Sequence, residues 1–182
     1  MLAQQVAKKY SHALFQLAVE KNMVDAAWDQ FNSLADFLKK DKTFLDFMTA
    51  PQISDQKKDA LVKKVFEPRL DRVLFDFLMF LVEKRRIRFL PEIIEAFDLM
   101  VRAHKGIARA TCITAEKITD DERRKLVEKL AEKTSLKIEL KERIDKSILG
   151  GMIIILRDQI IDGSIRYGLN QLKNRLMKVK VH

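Results

Sequence analysis

The chain has 182 residues, 47% of them apolar, enough to build one large domain or two small ones. Its single cysteine, Cys112, excludes an internal disulfide framework and a cysteine zinc site, and points to a reducing compartment. A formal charge of +9 suits nucleic acid, an anionic membrane surface or an acidic protein partner without choosing among them.

That charge is uneven. Residues 1–105 carry 18 Lys+Arg against 15 Asp+Glu, a net +3, and residues 106–182 carry 17 against 11, a net +6. The opening MLAQQVAKKYSHALF has polar and basic residues where a secretory signal needs an apolar run. The longest apolar stretch, Phe77 to Val82, is far shorter than the roughly 20 residues of a membrane span, so a soluble or peripheral protein is expected.

Up to Gly106 there is no glycine, and apolar residues recur with helical spacing. A first helix is predicted from Leu2 to Lys21, with Val6, Tyr10, Ala13, Leu14 and Leu17 on one stripe and Ala3, Ala7, Phe15, Ala18 and Val19 as surplus apolar surface. A second covers Val24–Leu38. Thr43 is placed to cap a third, Phe44–Ala50, which Pro51 ends by disfavouring helical backbone at the residue before it. Ser54 caps a fourth reaching Phe66, a fifth spans Leu70–Glu83, and a sixth runs from Leu90 to Lys105 with Pro91 in its first turn. The fifth is apolar almost all round. It reads either as the central helix of a bundle or as one wall of a groove for a partner helix.

After Gly106 the period changes. Ile107–Ala115 is β-rich, Thr119 precedes an acidic helix start (Asp120, Asp121, Glu122), and Lys137–Lys141 alternates as a strand. Gly150 and Gly151 lead into Met152–Leu156, a continuous apolar run that reads as a strand covered on both faces. Asp162 and Gly163 make a turn, and Ser164 is an N-cap. Ile165, Leu169, Leu172 and Leu176 then form a helical stripe opposite a basic face, expected to pack on the sheet, with contact at a membrane surface as the alternative. The fold predicted is mainly α: an N-terminal six-helix bundle, residues 1–105, followed by a small α+β domain, residues 106–182.

No catalytic or metal constellation emerges. His12, His104 and His182 lack ligand spacing, and Cys112 lies within a predicted strand. The glycine pair precedes a strand rather than a helix, unlike a phosphate-binding loop. Basic clusters at Lys84–Arg88, at Arg123–Lys125 and at Lys173, Arg175, Lys178 and Lys180 lack the interleaved aromatics that stack on bases.

Three segments, VAKKYSHALFQLAVE, FLVEKRRIRFLPEIIEAF and IDKSILGGMIIILRDQIIDGS, resemble in this order the delta subunit of F-type ATP synthase, the family of the mitochondrial oligomycin sensitivity-conferral protein. The likeness spans essentially the whole chain. It implies a non-catalytic peripheral-stalk subunit with no cofactor, linking the catalytic head to the membrane sector and resisting rotor torque during ATP synthesis. Its implied partners are the alpha subunit, whose N-terminal helix would dock on Tyr10, Ala13, Leu14, Leu74 and Met79, and the b-type stalk subunits, met by the C-terminal domain. Gly150, Gly151, Asp162, Gly163 and Ser164 would be its structural signature. The implied location is the cytoplasmic side of the cell inner membrane, as a peripheral protein. Two departures stand out. Arg157-Asp158-Gln159 replaces the family's glycine-containing turn, which questions the hairpin there, and Gly168 follows Tyr167 where a small and a basic residue are usual, which predicts a frayed start to the last helix. The alternative function is a basic helix-bundle RNA-binding protein.

Overall fold

The computed structural model describes residues 2–179, with side chains from Ala3 to Met177. The predicted end-residue features Lys178, Lys180 and His182 lie outside the described side chains. Among the described residues the fold is mainly helical, with one four-stranded sheet in the C-terminal part. Contacts divide the chain into two compact units, Met1–Val101 and Arg102–His182.

In the first unit the elements are α1 (Leu2–Glu20), α2 (Val24–Lys40), α3 (Thr43–Thr49), α4 (Asp55–Phe66), α5 (Arg72–Glu83) and α6 (Leu90–His104), the last of which runs on to the second unit's first residues. Helical periodicity converts directly into a core. Phe31, Phe97, Leu74, Leu78, Leu81, Leu90, Ile93, Val62 and Val101 have essentially no exposure, each large side chain contributing about 1.5–3 kcal/mol by leaving water. Phe31 meets Phe97 edge-on at 5.0 Å. Phe37, Phe44 and Phe66 form a second, mutually edge-on trio at 5.3–5.9 Å. These offset geometries suit the ring quadrupole. Trp28, on α2, donates its indole N–H to Asp98 on α6 at 2.8 Å, satisfying a polar edge that the apolar surroundings would otherwise penalise.

Local chemistry moves some boundaries. Thr43 is the first residue of α3 rather than its cap, because its N–H and hydroxyl both go to the Asp41 carboxylate, which holds that carboxyl below its ordinary pKa. Ser54 does occupy the N-cap of α4, although its side chain makes no capping bond.

The second unit contains β1 (Ile107–Thr114), α7 (Asp120–Thr134), β2 (Lys137–Ile144), β3 (Met152–Leu156), β4 (Gln159–Asp162) and α8 (Ile165–Val179). The sheet order is β2-β1-β3-β4. β1 and β2 are parallel with α7 as their crossover, whereas β1 with β3 and β3 with β4 are antiparallel. α7 starts with a complete capping box: the Thr119 hydroxyl accepts from the Glu122 N–H, and the Glu122 carboxylate accepts from the Thr119 N–H. The core of this unit is thin, built from Ala108, Ala110, Leu130, Ile138, Ile154 and Leu156, with Leu126 and Val127 of α7 against them.

β3 is a strand paired on both edges but covered fully on one face only: Ile154 and Leu156 are buried on the α7 side, while Ile153 and Ile155 on the other face are half-buried. The hairpin that the missing glycine put in doubt does form, with β4 as its second strand. Leu156 pairs with Gln159 across a two-residue turn, and Arg157 adopts φ 54°, the conformation that a glycine would take at less cost. Two other expectations fail. The last helix is continuous through Gly168, whose N–H donates to the Ser164 carbonyl at 3.2 Å, so its first turn is formed rather than frayed. The stripe Ile165, Leu169, Leu172 and Leu176 is 52–59% exposed, so it does not pack on the sheet. The sheet's α7 side is already filled by that helix.

Candidate functional site

On α1, Ala3, Val6, Tyr10, Ala13 and Leu17 follow one another at steps of three and four and so share a face. Ala13 is exposed and the other four are half-buried. On α5, Asp76, Phe80 and Glu83 are exposed beside half-buried Met79, and Phe80 retains 42% of its surface. The rings of Tyr10 and Phe80 lie 6.0 Å apart, tilted by 44°, which makes the two helices one continuous apolar face.

Of the five predicted docking residues, Tyr10, Ala13 and Met79 reach this face. Leu14 and Leu74 do not. At 2% and 0% exposure they are sealed beneath it, because each points from its helix towards the centre of the bundle, so they support the face rather than offer contacts. Phe80, not among the five, shares this face. Its signal was in the sequence, one residue after Met79 and a helical turn beyond Asp76, on the polar side of an otherwise apolar helix. Lys84 Nζ stands 5.5 Å over the Phe80 ring and 2.7 Å from the Glu83 carboxylate, which raises the lysine's pKa and keeps it charged. Beside Phe80 opens a cleft of about 400 Å³ lined by Met79, Val82, Asp55, Asp59, Asp76 and Glu83. Three of these acids are already paired, Asp55 with Arg85, Asp76 with Arg72 and Glu83 with Lys84, so the cleft is largely neutralised by the chain's own cations.

In the second unit the predicted signature residues do come together, as a joint between β3 and α8. Gly151 has φ 74°, and a Cβ there would stand 2.3 Å from the Gly163 carbonyl oxygen, so no side chain fits. The Gly163 N–H donates to the Met152 carbonyl at 2.9 Å and the Ile165 N–H to that of Gly150 at 3.0 Å. The Asp162 carboxylate accepts from the Ser164 N–H at 2.9 Å, and the Ser164 hydroxyl accepts from the Tyr167 N–H at 3.1 Å as the N-cap. Hydrogen bonds from Ser164, aided by the Arg166 charge, hold the Asp162 carboxyl below its ordinary pKa. Asp145 is held down in the same way by Ser147, with Arg143 and Arg166 nearby. These bonds set the direction in which α8 leaves the sheet. α8 then presents its exposed apolar stripe with Arg166, Lys173 and Arg175 and no acidic residue.

A model of the ATP synthase delta (OSCP) subunit family matches residues 6–176. The chain belongs to this family. It is 35% identical over 176 residues to the ATP synthase subunit delta of Lactobacillus johnsonii, covering 96% of each chain. It is 33% identical over 171 residues to that of Clostridium perfringens, covering 94% of this chain and 96% of the relative. A chain of the Toxoplasma gondii mitochondrial ATP synthase hexamer shares the fold, with a TM-score of 0.75 at 23% identity over 94% of this chain and 97% of that one. As a member of the delta (OSCP) family the chain is a peripheral-stalk subunit of the F-type ATP synthase, a structural component of the complex.

The remaining chemistry-bearing residues fit a structural subunit. Cys112 is buried, and desolvation followed by the Glu142 carboxylate raises its pKa, so the thiol stays protonated. Among the described residues no group of three or more His, Cys, Asp or Glu could hold a metal ion, and no helix is long and apolar enough to cross a membrane.

Proposed function

We propose that the chain works as a clamp between two partners, carrying out no chemistry itself. The face shared by α1 and α5 grips the N-terminal helix of an alpha subunit of the catalytic head. Tyr10, Ala13, Met79 and Phe80 make the contact, and Leu14 and Leu74 form its floor. The helices α1 to α6 act together as a six-helix bundle whose task is to hold that face rigid. The second unit meets the b-type stalk subunits through the α8 stripe, so that the head is tied to the membrane sector and cannot turn with the rotor during ATP synthesis. The protein then sits at the cytoplasmic side of the cell inner membrane, held there peripherally by the complex.

The observation that carries this reading is the Tyr10–Phe80 face, where two helices leave a paired aromatic surface partly exposed; Leu99 at 60% and Val19 at 40% are also exposed in this unit but have no such aromatic partner among the described contacts. Helix-in-groove recognition needs such a face, with small residues like Ala13 where the partner backbone approaches. Calorimetric titration of the full chain with a peptide copying an alpha subunit's N-terminus tests it. Binding in the tens of micromolar or tighter is expected, roughly −6 kcal/mol. Ala13→Asp and Phe80→Asp should each weaken it at least tenfold with the circular dichroism spectrum unchanged. Absence of heat at that concentration overturns the alpha contact.

A further inference from the structure

The two edges of the sheet are finished differently. β2 carries Lys137, Glu139, Lys141, Glu142 and Arg143, the kind of charge that stops an edge strand from recruiting another chain. β4 has no lysine, arginine or proline. Its Ile160 and Ile161 are 68% and 45% exposed and point to opposite faces of the sheet.

The pairing register shows which backbone groups of β4 are unused. Gly163 donates to Met152, and in an antiparallel ladder such hydrogen-bonded pairs recur at every second residue. Ile161 and Gln159 therefore direct their N–H and C=O groups at β3, while Ile160 and Asp162 direct theirs outward. No backbone hydrogen bond among the described residues takes up those outward groups.

We propose that, in the assembled synthase, an extended segment of another subunit joins β4 as a fifth strand. Two donor–acceptor sets, separated by two residues of strand, match an extended backbone; a helix has already used its own amides. The segment carries apolar side chains against Ile160 and Ile161. It carries no carboxylate opposite Asp162, the one charged residue of β4. That carboxylate also argues against a second copy of this chain, which would bring two Asp162 side chains to the joined edge. A four-residue strand is too short to hold a free partner, so the segment belongs to a subunit already tethered in the complex.

The proposal rests on membership of the synthase alone and stands or falls separately from the alpha contact. Hydrogen–deuterium exchange, resolved to single residues by mass spectrometry, compares the isolated chain with the assembled synthase. The Ile160 and Asp162 amides should exchange freely in the isolated chain and at least tenfold more slowly in the complex. Ile160→Pro removes one outward N–H without touching the β3 ladder, and Ile160→Lys charges the edge. Each should weaken rebinding to synthase stripped of this subunit by about tenfold. Equal exchange in both states overturns the proposal, as does concentration-dependent protection in the isolated chain, which would mean self-pairing.

Discussion

Residues 2–101 close most of their large apolar side chains around one another, with Phe31 against Phe97 at 5.0 Å and only Val19, Phe80 and Leu99 exposed among the described large apolar residues, while α8 of residues 102–179 leaves a whole stripe, Ile165, Leu169, Leu172 and Leu176, more than half exposed. Charge divides the same way. Residues 1–101 carry 16 Lys+Arg against 15 Asp+Glu, a net +1, so nearly the whole +9 of the chain belongs to the second unit. The first unit is therefore a rigid block with a small apolar window, and the second is a thin core held by backbone geometry with its grease and its positive charge turned outward. The proposed clamp would use both kinds of surface: apolar burial gives a grip that salt barely changes, and a basic amphipathic helix gives one that salt weakens.

The largest expected effect tests the rigid block. Phe97→Ala should cost the first unit about 3–5 kcal/mol, as for other fully buried aromatics, measured by urea unfolding with Trp28 fluorescence as the probe. The amide exchange of β1 and β3 should stay unchanged, and a joint collapse of both would break the division drawn above.

Gly151→Ala probes the second unit's dependence on backbone. The Gly163 carbonyl and the positive φ together should cost about 2–4 kcal/mol. Faster exchange of β3 amides, with the Trp28 transition unmoved, is the expected result.

Acid should loosen the second unit before the first, since Glu122, Asp145 and Asp162 there are held below their ordinary pKa values, against Asp41 alone among the shifted carboxyls of the first. A depressed folded pKa gives stability that is present above the ordinary values of 3.8 for Asp and 4.5 for Glu and is lost as pH falls through the lower folded values. A pH series of amide exchange reads this directly, and Asp162→Asn should flatten part of it. Equal acid sensitivity of the two units would contradict the assignment.

The smallest effect on stability should come from Leu172→Ser, within about 0.5 kcal/mol, because the side chain is 53% exposed. If thermal unfolding of this variant drops by several degrees, the α8 stripe is core and not a contact surface. A pull-down of b-type stalk subunits with the same variant should by contrast lose most of its yield.

Much of the molecule was legible beforehand. Helices α1 to α6 followed from apolar residues at steps of three and four with no interrupting glycine, and Thr119 with Glu122 announced the start of α7. The strand β4 was not legible, since four residues are too few for a period and its turn uses Arg157 in a conformation that usually signals itself by glycine. Leu14 and Leu74, named for the partner contact through the resemblance, are buried, since a likeness in sequence carries the positions but not which side of each helix meets the core.

By itself, then, the amino-acid order determined where the helices and three of the strands lie, and that Asp162 and Gly163 turn the chain into a helix capped by Ser164. Tertiary structure alone decided which apolar faces are closed and which are left for neighbours. Periodicity records that a face is hydrophobic, a local property of the chain, whereas the surface that covers it is supplied by residues distant in sequence or by another polypeptide altogether.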